Sequence, residues 1–235
     1  MTISHVLDAH RSATRRPRRA RLGRRLTQLY FGLALYGFSM GLMIRAGLGL
    51  DPWDVFHQGI DVRTRLSFGG VTILVGAAVL LLWLPLRQRP GIGTLSNVVV
   101  IGLAVDATLA VLDAPEGLVT RWVLLLAGIG LNAVATACYI GAGLGPGPRD
   151  GLMTGWVRRY GGSVRLVRTT IEVTVLAIGW LLGGTAGVGT VLYALTIGPL
   201  VQAMLPRFTL RDRMPAVTSS PLGRPDRGAR FTGAD

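Results

Sequence analysis

Two acidic residues stand at matching places in a phrase that the sequence uses twice. Asp54 ends GLGLDPWD at residues 47–54, and Asp150 ends GLGPGPRD at residues 143–150. A carboxylate in such a place can bind a cation or a proton, or it can cap the helix that follows. Arg149, which has Trp53 as its counterpart, could bind an acidic group or pair with Asp150. The phrases therefore predict either a binding site or a pair of helix caps.

Two further acidic residues lie in apolar surroundings. Asp106 lies past the middle of a long apolar run, where an isolated carboxylate costs about 2.5–3.5 kcal/mol, so we expect a partner or water beside it. Glu172 follows Arg168 by one helical turn, which predicts an interfacial ion pair at least as readily as a functional role. The candidate substrate- or ion-binding residues are Asp54, Asp150, Asp106, Arg149 and Glu172.

Other kinds of chemistry find little support in the sequence. No Walker phrase, no Ser/His/Asp arrangement and no HExxH motif occurs, and the three histidines show no metal-ligand spacing. The lone cysteine, Cys138, lies in an apolar run and provides neither a disulfide framework nor a thiolate metal site. We therefore expect no enzyme activity, no cofactor and no metal site.

The glycines and prolines of the phrase predict how the backbone breaks. Glycine can adopt a positive φ and end a helix, and proline fits the first position of a new one. Asp51 lies where the N-cap of that new helix would be. Each phrase thus predicts a short helix that either lies on the membrane surface or enters the membrane as a re-entrant segment. The backbone-breaking residues are Gly47, Gly49, Pro52, Gly143, Gly145 and Pro148.

Composition indicates the elements that must position these residues. Half of the 235 residues are hydrophobic, yet the formal net charge is +13. The basic residues are all arginine and concentrate in the termini and short connections, whereas apolar runs of membrane-spanning length fill the interior. The sequence therefore predicts an all-α membrane protein with about six transmembrane helices, at 29–44, 68–86, 94–112, 122–140, 167–183 and 190–205.

The chain also contains an internal repeat. A shift of 96 residues aligns the two phrases and gives 21 identities in the 64 pairs that begin at residues 46 and 142. The predicted units are a first three-helix repeat at 27–112 and a second at 113–207, each with a broken or re-entrant short helix after its first span. Because each unit holds an odd number of spans, the second is predicted to be inverted in the membrane.

Arginine counts predict the orientation. With both termini in the cytoplasm, the cytoplasmic segments hold 21 arginines, and the outer side holds only Arg45, Arg63, Arg65 and Arg121. The Arg-rich arm at 1–26 and the tail at 208–235 are predicted to be disordered and to contact anionic lipid headgroups of the bilayer rather than nucleic acid.

The two phrases in their wider context, AGLGLDPWDVFHQG and GAGLGPGPRDGLMTG, resemble the paired signatures of the bacterial YczE-type integral membrane proteins, which are grouped with the YyaS and YitT types. The similarity covers about residues 25–207, and the second phrase, 143–151, is the more specific. The resemblance implies a multi-pass protein of the bacterial plasma (inner) membrane. It implies no substrate.

Two inverted halves with broken helices are typical of secondary transporters. We expect a small transporter or channel-like protein for a cation or small polar solute, held between the two phrases. The alternative is a non-transporting scaffold or regulatory partner that binds another protein through its cytoplasmic arms. The sequence specifies neither the solute nor the direction of movement, and it is compatible with a homo-oligomer.

Overall fold

The computed structural model describes residues 16–210, and every regular element in that range is a helix. The all-α class predicted from the sequence is confirmed for this part of the chain. The helices are α1 (Arg16–Ala46), α2 (Pro52–Asp61), α3 (Phe68–Leu81), α4 (Ile92–Val111), α5 (Leu118–Gly141), α6 (Pro148–Tyr160), α7 (Val164–Leu181) and α8 (Val188–Phe208).

Four of the helices in residues 16–210 are long and apolar enough to cross a membrane: Leu22–Ala46 within α1, and all of α4, α5 and α8. The sequence predicts six spans. Of the other two, α3 is apolar but shorter, and α7 carries three charged residues. Large apolar side chains point outward on the long helices; Leu103, Leu126 and Leu195 are 60 %, 55 % and 70 % exposed. Such a surface is suited to lipid rather than to water.

Helix α1 begins inside the segment that the sequence predicts to be disordered. Residues 16–26 of the predicted arm are helical because arginine has a good helix propensity and the segment continues directly into an apolar helix. Arg25 also ties this end of α1 to the second half, since its guanidinium donates to the carbonyls of Ala142 at 3.0 Å and Leu210 at 3.2 Å. Residues 1–15 of the arm and 211–235 of the tail lie outside the described residues.

Helix α1 lies against α4 and α5, and its glycines set the distance between them. A Cβ added at Gly37 would lie 2.6 Å from the carbonyl oxygen of Ile101 in α4. One added at Gly32 would lie 2.9 Å from the backbone nitrogen of Tyr139 in α5. Small residues permit this close backbone approach, which is the usual way for helices to pack in membranes.

The helices that follow the two phrases are placed equivalently along the chain. Helix α6 begins 96 residues after α2, α7 begins 96 residues after α3, and α8 begins 96 residues after α4. The short helices predicted after each phrase are α2, with 10 residues, and α6, with 13 residues. The spacing that aligns the sequence with itself thus also relates the helices.

The phrase glycines have matching backbone conformations in the two copies. Gly47 and Gly143 have φ of 62° and 66°, and Gly49 and Gly145 have φ of 118° and 127°. Glycine tolerates these angles, whereas residues with a Cβ are strained there. The chain therefore turns out of α1 and out of α5 in the same way, as the phrase predicts.

The two halves exchange equivalent hydrogen bonds. The backbone N–H of Gly93 in α4 donates to the carbonyl of Leu144 in the second phrase at 2.9 Å. In return, the N–H of Gly189 in α8 donates to the carbonyl of Leu48 in the first phrase at 2.8 Å. Gly189 and Leu144 follow Gly93 and Leu48 by 96 residues, so the exchange is reciprocal, as at an isologous two-fold contact.

Replacing Gly49 with alanine should destabilise the protein by about 1–3 kcal/mol through backbone strain. A Cβ there would also lie 2.8 Å from both Gly187 N and Thr190 Oγ1. We expect a lower midpoint of thermal unfolding in detergent. Gly117→Ala is the matched control, because Gly117 has φ −75° and its Cβ would meet only Thr120 Oγ1 at 3.7 Å. Equal midpoints for Gly49→Ala and the unchanged protein would contradict this expectation.

Candidate functional site

A cavity of about 270 Å³ lies where the two broken segments meet. Every described helix contributes to its wall, so its shape depends on both halves of the repeat. The helices α1 to α8 each contribute at least one lining residue; in that order, examples are Tyr36, His57, Thr72, Asn97, Tyr139, Arg149, Glu172 and Tyr193.

The start of α2 forms one side of the cavity. Asp51 is the N-cap of α2, as the sequence predicts, and its Oδ1 accepts the backbone N–H groups of Trp53 at 2.8 Å and Asp54 at 3.0 Å. Pro52 occupies the first helical position, where no N–H is needed. The cap therefore belongs to Asp51, which leaves the carboxylate of Asp54 available for other contacts.

Arg149, at the start of α6, connects the two halves. Its Nη1 lies 3.6 Å from Asp51 Oδ1, and its Nη2 lies 3.4 Å from Asp54 Oδ1. The guanidinium carbon lies 5.0 Å from the ring centre of Trp53, within the range of a cation–π contact. Trp53 is the residue that matches Arg149 in the repeat, so equivalent positions of the two copies meet here. The structure thus shows Arg149 with Asp51 and Asp54 of the opposite phrase, a pairing that the sequence does not predict.

His57 extends the polar group along α2. Its Nδ1 lies 3.4 Å from Asp54 Oδ1 and 3.4 Å from the hydroxyl of Thr72 in α3. Both Asp54 and His57 are at most 1 % exposed. Asp54 is therefore held between Arg149 on one side and His57 on the other, inside the protein.

Two buried carboxylate oxygens remain without a partner. Asp51 Oδ2 and Asp54 Oδ2 accept no hydrogen bond from the described residues, although both atoms are buried. Leaving a buried acceptor unsatisfied costs about 1–3 kcal/mol, and more when the group is charged. The site therefore has spare hydrogen-bond acceptors and no spare positive charge beside them.

The ionisation of this pair reflects its burial. Asp51 precedes α2 and lies outside the four long apolar helices. Burial raises the pKa of its carboxyl to about 7, the charge of Asp54 adds to the rise, and Arg149 opposes it. Burial raises the pKa of Asp54 as well, again against Arg149. One guanidinium therefore does not fully compensate the two buried carboxylates.

Asp150 lies on the other side of the cavity, at the start of α6. Its Oδ2 accepts the hydroxyl of Tyr139 in α5 at 3.0 Å. Tyr139 packs edge-on against Tyr36, with ring centres 6.1 Å apart. The equivalent residues Asp54 and Asp150 thus have different partners: Asp54 is paired with Arg149 and lies behind the cavity lining, whereas Asp150 lines the cavity and accepts a phenol hydroxyl.

Glu172 pairs with Arg168, as the sequence predicts. Arg168 Nε donates to Glu172 Oε1 at 2.8 Å across one turn of α7, and both residues line the cavity. Their side chains are 51 % and 30 % exposed for Arg168 and Glu172. The pair therefore lies at the accessible edge of the cavity rather than in its depth.

Asp106 does not join the cavity. Its carboxylate accepts the hydroxyl of Ser67 at 2.5 Å and the N–H of Gly69 at 2.7 Å, so it holds the start of α3 against α4. The sequence groups Asp106 with the binding residues, whereas the structure places it in this interhelical contact. Its counterpart Gln202, in α8, lines the cavity instead.

The equivalent contact is missing in the second half. Gly102 of α4 lies close to α3, since an added Cβ would be 2.7 Å from the carbonyl oxygen of Gly69. At the equivalent Gly198 of α8, nothing lies within 4 Å of the added Cβ. Helix α3 therefore lies against α4, whereas no comparable packing joins α7 to α8 within residues 16–210. The space between α7 and α8 is part of the cavity, because both helices contribute to its wall.

Several cavity residues are absent from the sequence-based candidates. From the sequence, Asp51 is predicted only as a helix cap. His57 is considered only as one of three histidines that lack metal-ligand spacing. Tyr36, Tyr139 and Tyr193 come from three different helices, so no spacing along the chain could have grouped them. The repeat gives no signal for Asp51 and His57, because their counterparts in the second copy are Gly147 and Met153.

No group of three or more His, Cys, Asp or Glu side chains among residues 16–210 is placed to hold a metal ion. The polar groups of the cavity are carboxylates, two guanidinium groups, phenols, amides, threonine hydroxyls and the imidazole of His57. They can bind a charged or hydrogen-bonding solute.

Comparison with known proteins places the chain among membrane proteins. Residues 23–206 match the model of a family of unknown function, DUF6198. A Bacillus subtilis protein described as "Uncharacterized membrane protein YczE" is 33 % identical over 205 residues, covering 84 % of this chain and 95 % of that protein. An "Uncharacterized protein" of Haemophilus influenzae is 44 % identical over 177 residues, covering 75 % of this chain and 81 % of that protein. No solved structure matches.

The fold, with its long apolar helices and polar interior, defines a helical membrane protein. Within that class, the chain belongs to the DUF6198 family and is similar to YczE over most of its length. The resemblance to YczE-type proteins that the two phrases predict is thereby confirmed.

Replacing Arg149 with glutamine should destabilise the protein, because it leaves two buried carboxylates without a cation. Removing one partner of a buried pair costs about 3–5 kcal/mol. We expect a clear fall in the thermal midpoint in detergent. In the double variant Arg149→Gln/Asp54→Asn, part of the loss should return, since less buried charge is left uncompensated. Additive effects of the two substitutions would show that the guanidinium and the carboxylate do not interact.

Proposed function

We propose that the protein is a small secondary transporter for a cation or small polar solute, which binds in the cavity between α2 and α6. The observation that carries the proposal is the position of this cavity: it lies at the junction of two equivalent broken segments and is lined by all eight described helices. Substrate sites of repeat-built transporters lie at such junctions.

An inverted arrangement of the two halves supports the proposal. The reciprocal bonds from Gly93 to Leu144 and from Gly189 to Leu48 are those expected of halves related by a two-fold axis. With the three spans in each half that the sequence predicts, this axis would lie in the membrane plane. The arginine distribution then favours cytoplasmic termini, with the first phrase near the outer face and the second near the cytoplasmic face of a bacterial inner membrane.

The charges of the site favour a cation. Asp51, Asp150 and Glu172 line the cavity together with Arg149 and Arg168, and Asp54 contacts Arg149. These four carboxylates outnumber the two guanidinium groups, which leaves an excess of negative charge. A buried site of this kind attracts cations and repels anions.

The different packing of equivalent helices supports alternating access. Helix α3 is held against α4 by Asp106, whereas α7 stands apart from α8. In the proposed mechanism the two halves exchange these arrangements, which opens the cavity to the other face. The opening between α7 and α8 then belongs to the cytoplasmic face, because Arg168 lies on the arginine-rich side. No step of this mechanism requires enzyme chemistry.

Single cysteines should report the inverted arrangement. In a Cys138→Ala background, we expect Thr64→Cys to react with a membrane-impermeant maleimide from the outside of intact cells. Tyr160→Cys, the equivalent position 96 residues later, should react only after the membrane is opened. Both residues are exposed in the structure, so burial does not confound the comparison. Labelling of both from the same side would rule out an inverted repeat.

Replacing Asp54 or Asp150 with asparagine should abolish transport while leaving the protein in the membrane at normal levels. The assay is the current evoked by concentration jumps of sodium, potassium, ammonium and n-butylammonium on proteoliposomes adsorbed to a solid-supported membrane. We expect at least an about tenfold loss for either variant, in line with the loss of a charge-assisted contact. Asp113→Asn, in the exposed loop after α4, is the control.

Two results would contradict this assignment in different ways. Wild-type currents from both variants would show that the site lies elsewhere. Currents no larger than those of protein-free liposomes, for every cation tested, would argue against cation transport itself. Deletion of residues 1–15 and 211–235 should leave the currents unchanged, because the cavity lies within residues 16–210.

A further inference from the structure

The carboxylate of Asp51 limits the kinds of ligand that the cavity can bind. This side chain lines the cavity and is only 2 % exposed. Its Oδ1 is used by the N-cap bonds of α2, whereas its Oδ2 has no partner among the described residues. A buried carboxylate oxygen is stabilised by an N–H or O–H donor. A ligand that satisfies Asp51 Oδ2 must therefore donate an N–H or O–H group to it or coordinate it as a metal ion, and a quaternary ammonium does neither.

The summed charge of Asp51, Asp54 and Arg149 indicates a monovalent ligand. When both carboxyls are ionised, Asp51, Asp54 and Arg149 together carry one negative charge. One monovalent cation beside Asp51 neutralises the cluster without displacing Arg149, which can stay beside Asp54 at 3.4 Å. A divalent cation would leave an excess positive charge, and an anion would add a second negative one.

Aromatic rings line the same cavity. Tyr36, Tyr139 and Tyr193 line the cavity together with Trp53, one face of which already carries Arg149. Aromatic faces attract ammonium groups and also accept short apolar chains. An inorganic ion gains little from such a wall, whereas an organic ammonium ion gains from both its charge and its carbon atoms.

The size of the cavity agrees with a small organic ligand. Its volume of about 270 Å³ is far above the ~10–15 Å³ that a single water or ion requires. It lies just below the range of about 300–1,000 Å³ typical of pockets for drug-sized molecules.

We propose that the cavity binds a small organic monocation with N–H donors, namely an alkylammonium ion, whose ammonium group donates to Asp51 Oδ2. This inference rests on the proposed function, since it names the substrate class of the same site. Arg149 stays paired with Asp54, and the alkyl chain lies among the tyrosines.

The test is isothermal titration calorimetry of the purified full-length protein in detergent at pH 8, above the pKa of Asp51. The probes are n-butylammonium, its neutral isostere n-butanol, tetramethylammonium and sodium. We expect n-butylammonium to bind at least about tenfold more tightly than the other three probes, because only this probe combines charge, donors and an apolar chain.

Two variants locate the binding. Asp51→Asn keeps a side-chain oxygen for the N-cap of α2 but removes the charge, and it should weaken n-butylammonium binding by about 10- to 100-fold. Asp61→Asn, at the other end of α2 and away from the cavity lining, should leave the binding unchanged. The ligand series on the unchanged protein tests the proposal even if Asp51→Asn fails to fold.

The outcomes separate this inference from the proposed function. Equal binding of n-butylammonium and tetramethylammonium, preferential binding of sodium, or no binding by any probe would overturn the alkylammonium site. Currents with sodium alone in the proteoliposome assay would overturn it while leaving transport intact. Binding of n-butylammonium that depends on Asp51, without current for any cation, would support the site and overturn transport.

Discussion

The structure depends on hydrogen bonds to the backbone carbonyls that are left free where the two phrases interrupt the helices. In apolar surroundings, a carbonyl released from a helix must find another donor, because water does not supply one. The carbonyls of Leu48 and Leu144 find theirs in the N–H groups of Gly189 and Gly93, each in the opposite half. The hydroxyl of Thr94 also donates to the carbonyl of Pro146 in the second phrase at 2.8 Å. The breaks are therefore tolerated only because the two copies pack together, and this packing creates the cavity.

The arrangement of helices is repeated in the two copies. The polar character of the site comes from the positions at which their side chains differ. Arg149 lies over its own counterpart Trp53, and this single difference supplies the cation of the cluster. In the same way, Glu172 stands where the first copy has Gly76, and it adds an ion pair to one wall only. Equivalent positions of the two copies thus meet at one cavity, and unequal side chains at those positions determine its polar character.

Local features of this structure could be predicted from the sequence, whereas contacts between distant helices could not. The helix breaks, the two short helices, the cap at Asp51 and the pair of Arg168 with Glu172 follow from residue types a few positions apart. The role of Asp106 depends on which face of α4 meets α3, and residue spacing alone does not determine that face. The grouping of Tyr36, Tyr139 and Tyr193 around the cavity could not be predicted either, because these residues come from separate helices.

The reciprocal exchange also constrains the order in which the protein can be completed. During synthesis, the first phrase emerges early, yet the donor for Leu48 belongs to Gly189, near the start of the last helix. The carbonyl of Leu48 therefore lacks this donor until the start of α8 has been synthesised. A chain truncated before α8 cannot form this hydrogen bond.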